Sequence, residues 1–181
     1  NYRYLPEVSP SGILASETEP YYYVYGYEGS TVAEAQATDK YETYGVLYNW
    51  PAVMTEDICP TGWHIPTDLE WQTMEMSLGM SASDASSSGW RGTDEGYQMK
   101  STSDWNDYGN GNGSNSSGFT GLPGGYRASS GSFYSGVDGY WWSASESSSY
   151  SWSRTLYGND DRVFRYDNNR KLGFSARCVR D

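Results

Sequence analysis

His64 is the single histidine of this 181-residue chain, so any Ser-His or Cys-His catalytic arrangement has to be built on it. It stands between Trp63 and Ile65, at the end of a strand-like stretch that leads into a helix. That setting suits a packed, hydrogen-bonded histidine better than a general base. Two carboxylate pairs lie near the predicted helix and turn, Asp68 with Glu70 and Asp94 with Glu95. Capping and the helix dipole account for the first pair, and turn chemistry between Gly92 and Gly96 for the second. Oxygen donors are densest from Ser103 to Asn112. Asp104, Asn106, Asp107 and Asn110 are the set a calcium ion would take there, because calcium uses about six to eight oxygens from irregular loops. A loop held by Asx turns accounts for the same residues. No other cofactor is indicated. Cys59 and Cys178 are the only cysteines, and neither has a second Cys or a His at zinc-ligand spacing. They are either one cross-link from the middle of the chain to its end or two buried thiols. With no catalytic constellation, the chain is expected not to be an enzyme.

The stretch from Gly139 to Asp181 carries a different chemistry. Trp141, Trp142, Trp152, Leu156, Val163, Phe174 and Cys178 recur there as apolar anchors among Ser, Tyr, Asn, Asp and Arg. Tyr gives rigid contact area at little entropic cost, and Ser and Asn give adaptable hydrogen bonding, the mixture that paratopes use. Tyr150, Tyr157, Phe164, Arg165 and Tyr166 are the expected ring and guanidinium anchors of a ligand-binding segment. Ser153, Asn159, Asp160, Asp161, Arg162, Asp167, Asn168 and Asn169 are the expected polar contacts. Strand alternation will turn about half of them inward. The expected ligand is a protein or a glycan on another cell surface.

The elements that must position these residues are constrained by composition. With 18 Tyr and 8 Trp, aromatics reach 17 % of the chain, so the core has to be built largely from rings. So many rings also argue against disorder. The 21 glycines predict short strands, many turns and irregular loops within one domain spanning 1–181. A net charge of −11 disfavours nucleic acid and anionic membranes as partners. No apolar run approaches the ~20 residues of a membrane span, so direct insertion is not expected. The chain opens at Asn1-Tyr2-Arg3-Tyr4, the start expected where a leader or upstream segment has been removed.

Residues 1–30 form a Tyr- and Pro-rich segment expected to pack on the domain, with Tyr21–Tyr27 alternating as a strand. Thr31 and Glu34 are spaced as a capping box ahead of a short helical stretch. Tyr44–Trp50 reads as a buried strand stopped by Pro51. The strongest helix starts at Thr67, with Glu70 three residues on, and buries Trp71, Met74 and Leu78; a shorter one starts near Ser83. Gly89–Gly118 reads as a long loop in which Trp90, Trp105 and Tyr108 are isolated anchors. Strands are expected at Leu122–Arg127, Phe133, Tyr140–Ala144, Ser151–Tyr157, Arg162–Tyr166 and Phe174–Val179. The sum is an α+β fold of two short helices, small twisted antiparallel sheets and long irregular loops.

Six motifs in order resemble one family. They are Tyr44-Gly-Val-Leu-Tyr-Asn-Trp50, Cys59-Pro-Thr-Gly-Trp-His-Ile-Pro-Thr-Asp-Leu-Glu-Trp71, Gly89-Trp-Arg-Gly-Thr-Asp-Glu-Gly96, Gly118-Phe-Thr-Gly-Leu-Pro-Gly-Gly-Tyr-Arg127, Gly139-Tyr-Trp-Trp-Ser143 and Gly173-Phe-Ser-Ala-Arg-Cys-Val-Arg180. From about Tyr21 onward the chain resembles the Fibrobacter succinogenes major paralogous domain family. The resemblance implies a C-type lectin-like fold and a place in surface or secreted proteins, often lipoproteins, of gut bacteria. An extracellular or cell-surface location follows as an expectation, or a phage particle. The fold is also that of formylglycine-generating enzymes, whose paired active-site cysteines this chain lacks. Some domains of this kind are variable proteins of diversity-generating retroelements, where mutated adenines yield Asn, Asp, Ser, Tyr, Arg, Gly and Phe but not Lys, Gln, Glu, Met or Trp. From Ser147 to Arg170 only Trp152 belongs to the excluded set. The resemblance therefore makes 139–181 the expected variable ligand-binding segment. The Trp-Asn-Asp triplet at 105–107 echoes a calcium motif of sugar-binding lectins, though without its usual partner motif, and a calcium-dependent lectin is the alternative expectation.

Overall fold

The computed structural model describes residues 1–105, 111–134 and 136–181. In chain order the elements are β1 (Tyr22–Tyr23), α1 (Val32–Gln36), α2 (Asp39–Tyr44), β2 (Leu47–Tyr48), α3 (Trp50–Val53), β3 (Trp63–His64), α4 (Asp68–Ser77), α5 (Ala82–Ser86), β4 (Gly89–Arg91), α6 (Glu95–Met99), β5 (Tyr126–Arg127), β6 (Phe133–Tyr134), β7 (Asp138–Ser147), β8 (Tyr150–Tyr157), β9 (Val163–Asn168) and β10 (Val179–Arg180). The fold is α+β, with a four-stranded antiparallel sheet ordered β4-β9-β8-β7 and three two-stranded sheets.

Local chemistry explains where the helices fall. Thr67 accepts from the Glu70 N–H and Glu70 returns a carboxylate to the Thr67 N–H, so α4 starts on a complete capping box, a device worth about 1 kcal/mol. Elsewhere the local structure differs from what the sequence predicts. Thr31 makes no side-chain cap; the Tyr27 hydroxyl instead donates to the Thr31 carbonyl and Glu34 and accepts the Thr31 N–H. Pro51 does not stop a strand: Asn49 caps α3 through the Ala52 N–H, and Pro51 sits in its first turn, where its missing N–H costs nothing. Tyr44 closes α2, leaving only Leu47 and Tyr48 as strand. Short helices therefore number six among the described residues rather than two, and Gly89–Gly118 holds β4 and α6.

The main sheet carries a core on each face. Trp141, Arg154 and Arg165 lie opposite one another across β7, β8 and β9, as do Leu156 and Val163. This set faces α4 and packs with Trp71, Met80, Met99, Trp105 and Phe119. The alternate set, with Trp142 opposite Ser153 and Ser153 opposite Tyr166, faces the other way. There Trp142 stacks on Phe174 at 4.4 Å and joins Tyr48, Val46 and Trp50. The expected anchors Trp141, Trp142, Leu156, Val163 and Phe174 are all buried.

A buried ion cluster fastens α4 to the sheet. Both oxygens of Glu75 accept from Arg91 at 2.8 Å, and Arg154 Nε donates to Oε1 at 2.6 Å. Arg154 Nη1 reaches Asp68 Oδ1 at 2.8 Å, and Arg165 holds Asp68 in a fork at 2.9 and 2.7 Å. Burial alone would raise the Asp68 pKa, but the Arg165 bond and the Arg154 charge outweigh it and hold it at about 2. The register of β7 shifts between Trp142 and Glu146, and there the Ala144 N–H reaches Pro66 while Ser145 Oγ accepts the Asp68 N–H. The bulge thus grips the start of α4.

The first thirty residues are woven into the domain. Tyr2 exchanges backbone bonds with Ala176 and Val46, and the Tyr48 hydroxyl donates to Tyr4. Buried Arg127 donates to the carbonyls of Ser11 and Ile13. Gly45 has φ +74°, and a Cβ there would fall 2.3 Å from the Tyr2 carbonyl oxygen, so this approach requires glycine. Cys59 and Cys178 form a disulfide beside the β3–β10 pair.

Candidate binding face

The β4–β9 half of the outward sheet face is left open by the second core. Register places Trp90 of β4 opposite Phe164 of β9, and Phe164 opposite Thr155 of β8. Four rings follow from that register. Trp90 lies 4.7 Å from Tyr157 and 5.1 Å from Phe164, and Phe164 lies 5.8 Å from Tyr166. Trp90 and Tyr166 are 41 % and 51 % exposed, so the row is a surface feature on a rigid floor. Such contacts stabilise the free protein by about 0.5–1.5 kcal/mol per pair and also fix the rings in advance of any ligand.

Polar groups frame the row. The Arg162 guanidinium lies 4.8 Å over the Trp90 ring and pairs with Asp160 at 2.8 Å. The Arg162 bond is the first cause of the lowered Asp160 pKa. Buried Lys100 supports the turn from beneath, its Nζ donating to the carbonyls of Tyr157 and Asp160 at 3.3 and 3.0 Å and lying 3.5 Å from the Asp161 carboxylate. Gly96 of α6 fits against the same turn, where a Cβ would fall 2.3 Å from the Arg162 carbonyl.

The expected contact residues divide accordingly. Tyr157, Phe164 and Tyr166 form the row, with exposed Asn159 and Arg162 and half-buried Asp160 and Asp161 at its end. Ser153 is not available to a ligand: it is buried, donates to the Tyr166 carbonyl and accepts from Asn168. Arg165 is not a surface anchor either, because alternation turns it toward α4, where it grips Asp68 and lies 3.5 Å over Trp152. Tyr150 is exposed, but strand alternation puts it on the opposite face from Tyr166. Asp167 accepts from Ser147, and Asn169 accepts the Lys171 N–H. Trp90, expected as an isolated loop anchor, stands in β4 instead; the Gly-Trp-Arg triplet is too short to declare itself a strand.

Of the calcium set, Asn106, Asp107 and Asn110 lie outside the described residues, as does Tyr108. Asp104 is exposed, and Ser103 Oγ donates to it at 2.7 Å. Among the described residues no three His, Cys, Asp or Glu side chains converge as a metal site. His64 lies between two carboxylates, Nδ1 at 2.6 Å from Asp181 and Nε2 at 2.8 Å from Glu70. The Asp181 bond, then the Glu70 bond, raises its pKa and favours the imidazolium.

The chain is thus a small α+β domain whose open antiparallel sheet face carries a fixed row of rings over a packed core. The chain belongs to the Fibrobacter succinogenes major domain family, which matches residues 1–180. The match begins earlier than the motifs suggest and takes in the Tyr-rich opening segment. No curated protein and no solved structure matches the chain. No helix among the described residues is long and apolar enough to cross a membrane.

Proposed function

We propose that this domain is a non-enzymatic recognition module of C-type lectin-like architecture, displayed outside the cell or on a phage particle. Its ligand-binding face is the row Tyr157, Trp90, Phe164 and Tyr166. The observation that carries this reading is the exposure of a preorganised ring row on the open half of an otherwise covered sheet. Trp, Tyr and Arg are the residues on which interface energy concentrates, and Arg162 stands over Trp90. The ligand is a protein or a glycan on another cell surface. The geometry favours a protein, because Asp160, Asp167 and Asn168 already spend hydrogen bonds inside the chain. Two features support the rest. A disulfide is at home in an oxidising compartment. Both His64 nitrogens face carboxylates, which leaves neither ready as a base.

A retroelement acting between Ser147 and Arg170 would have to spare Arg154, Leu156, Val163 and Arg165, which are core, while changing Tyr157, Phe164 and Tyr166 and leaving Trp90 fixed. The test is a selection of ligands from a displayed protein library and a glycan array, repeated with Trp90→Ala and Tyr166→Ala. Each variant is expected to weaken a selected ligand by at least about tenfold, with little change in Tm for Tyr166→Ala and a drop of roughly 2–12 °C for Trp90→Ala, which also loses two ring contacts. Ligands that bind both variants as tightly as the parent domain would overturn the assignment.

A further inference from the structure

The outward face does not end at Tyr157. Tyr157 pairs with Asp138 across β7 and β8, and beyond them a cleft of about 350 Å³ opens. Its lining is Gly125, Tyr126, Tyr134, Val137, Asp138 and Tyr140. Three phenol rings and one carboxylate line it, and one face of Tyr140 is taken by Phe174 at 5.1 Å. Tyr126 and Tyr134 are nearly parallel at 4.9 Å, and Tyr140 is set across Tyr126 at 4.9 Å and 61°. Asp138 Oδ1 accepts the Gly158 N–H at 3.1 Å, and the Tyr140 hydroxyl lies 3.5 Å from Oδ2. No Lys, Arg or His among the described residues pairs with this carboxylate. The buried carboxylates of α4, Asp68 and Glu75, by contrast have arginines on them.

An aromatic-walled cleft with one negative charge and no resident cation has a definite complement. We propose that it binds an organic ammonium group, held beside the rings of Tyr126, Tyr134 and Tyr140 and neutralised by Asp138. Tyrosine rings attract cations through their quadrupoles, and partial desolvation strengthens the attraction. Volume decides against an oligosaccharide: about 350 Å³ lies at the low end for small-molecule sites and admits a headgroup or a side-chain end. Burial, then its bond to Gly158 in opposition, leaves the Asp138 pKa raised, a cost to the anion that a bound cation would offset. A quaternary ammonium such as choline and the ammonium of a lysine side chain share this chemistry. The inference refines the recognition face by giving one end of it a ligand class, and rests on that reading only for its place beside Tyr157.

The experiment is an NMR titration of the whole domain with choline, with Nα-acetyl-lysine amide, and with 3,3-dimethylbutan-1-ol, the neutral isostere of choline. The Gly158 amide, bonded to Asp138, is the reporter. At least one ammonium is expected to bind with a Kd of the order of 1 mM and about tenfold more tightly than the isostere. The tighter of the two ammonium probes identifies the source. Asp138→Asn should weaken the ammonium by about tenfold, and Tyr134→Ala, at a rim residue 53 % exposed, by several-fold without loss of Tm. Tyr166→Ala should leave choline binding unchanged. Equal binding of choline and its isostere, or no ammonium binding up to about 100 mM, overturns the proposal. Choline binding in a domain whose ring-row variants lose no selected ligand would sink the recognition reading alone.

Discussion

Glu75→Gln is the substitution with the largest effect this structure predicts. The carboxylate is fully buried, and both of its oxygens are used by arginines. Oε1 accepts from Arg91 Nη2 and Arg154 Nε, while Oε2 accepts from Arg91 Nη1. Whichever way a glutamine amide turns, its NH2 meets an arginine donor, so at least one charge-assisted bond becomes a donor–donor contact. The charge balance also worsens. Arg91, Arg154 and Arg165 face Glu75 and Asp68 in the parent, and only Asp68 in the variant. Removing one partner from a buried pair costs about 3–5 kcal/mol. For a chain of this size that lowers Tm by roughly 6–20 °C. The assay is calorimetric unfolding with the disulfide intact, beside urea titration to test that the transition stays two-state. Glu75→Leu with Arg91→Met removes one charge of each sign and should recover half or more of the loss. A drop of less than about 1 kcal/mol in Glu75→Gln, or a double variant no better than the single, would refute the claim that this cluster locks α4 to the sheet.

Two further outcomes are expected. Replacing Cys59 and Cys178 by alanine removes a cross-link between residues 119 apart and should cost about 2–4 kcal/mol, with hydrogen exchange rising first at Val179 and Arg180 of β10; unchanged exchange there would mean the pair holds without its bridge. His64 has a raised pKa, so its contribution is complete below its ordinary value of 6.5 and is lost as pH rises through the raised one. The Tm gap between the parent and His64→Gln should therefore close as pH climbs from 6 toward 8, and a gap that widens with pH would mean the carboxylates beside it do not act as described.

The framework was legible in the sequence where one residue type implies one place. Paired tryptophans at 141 and 142 in an alternating stretch must bury one ring on each sheet face, and each core duly receives one. Thr67 and Glu70 announce α4 because a capping box is local chemistry, complete within four residues. Glu75 gave no such sign. It falls four residues after Trp71, on the buried face of α4, but a lone glutamate there reads as solvent-facing until Arg91 and Arg154 arrive, 16 and 79 residues away. Thr31 misled for the opposite reason: its spacing to Glu34 is right, yet Tyr27 reaches both groups first. The cleft at Asp138 was equally hidden, because its walls come from β5, β6 and β7 and meet only in the folded chain.

The proposed contact segment shows why composition can suggest a region but not which of its side chains face outward. Arg162 and Arg165 are the same residue type three positions apart in one polar stretch. Arg162 stands exposed over Trp90, while Arg165 is buried on Asp68, because β9 turns successive side chains to opposite faces. The division is what a changeable surface requires. Arg154 and Arg165 hold the sheet to α4 from one side, so Phe164 and Tyr166, between and beyond them, can be replaced on the other side without loosening the strand that presents them. Substitutions in residues 163–166 should therefore separate by parity, Val163 and Arg165 destabilising the domain and Phe164 and Tyr166 changing mainly its open face.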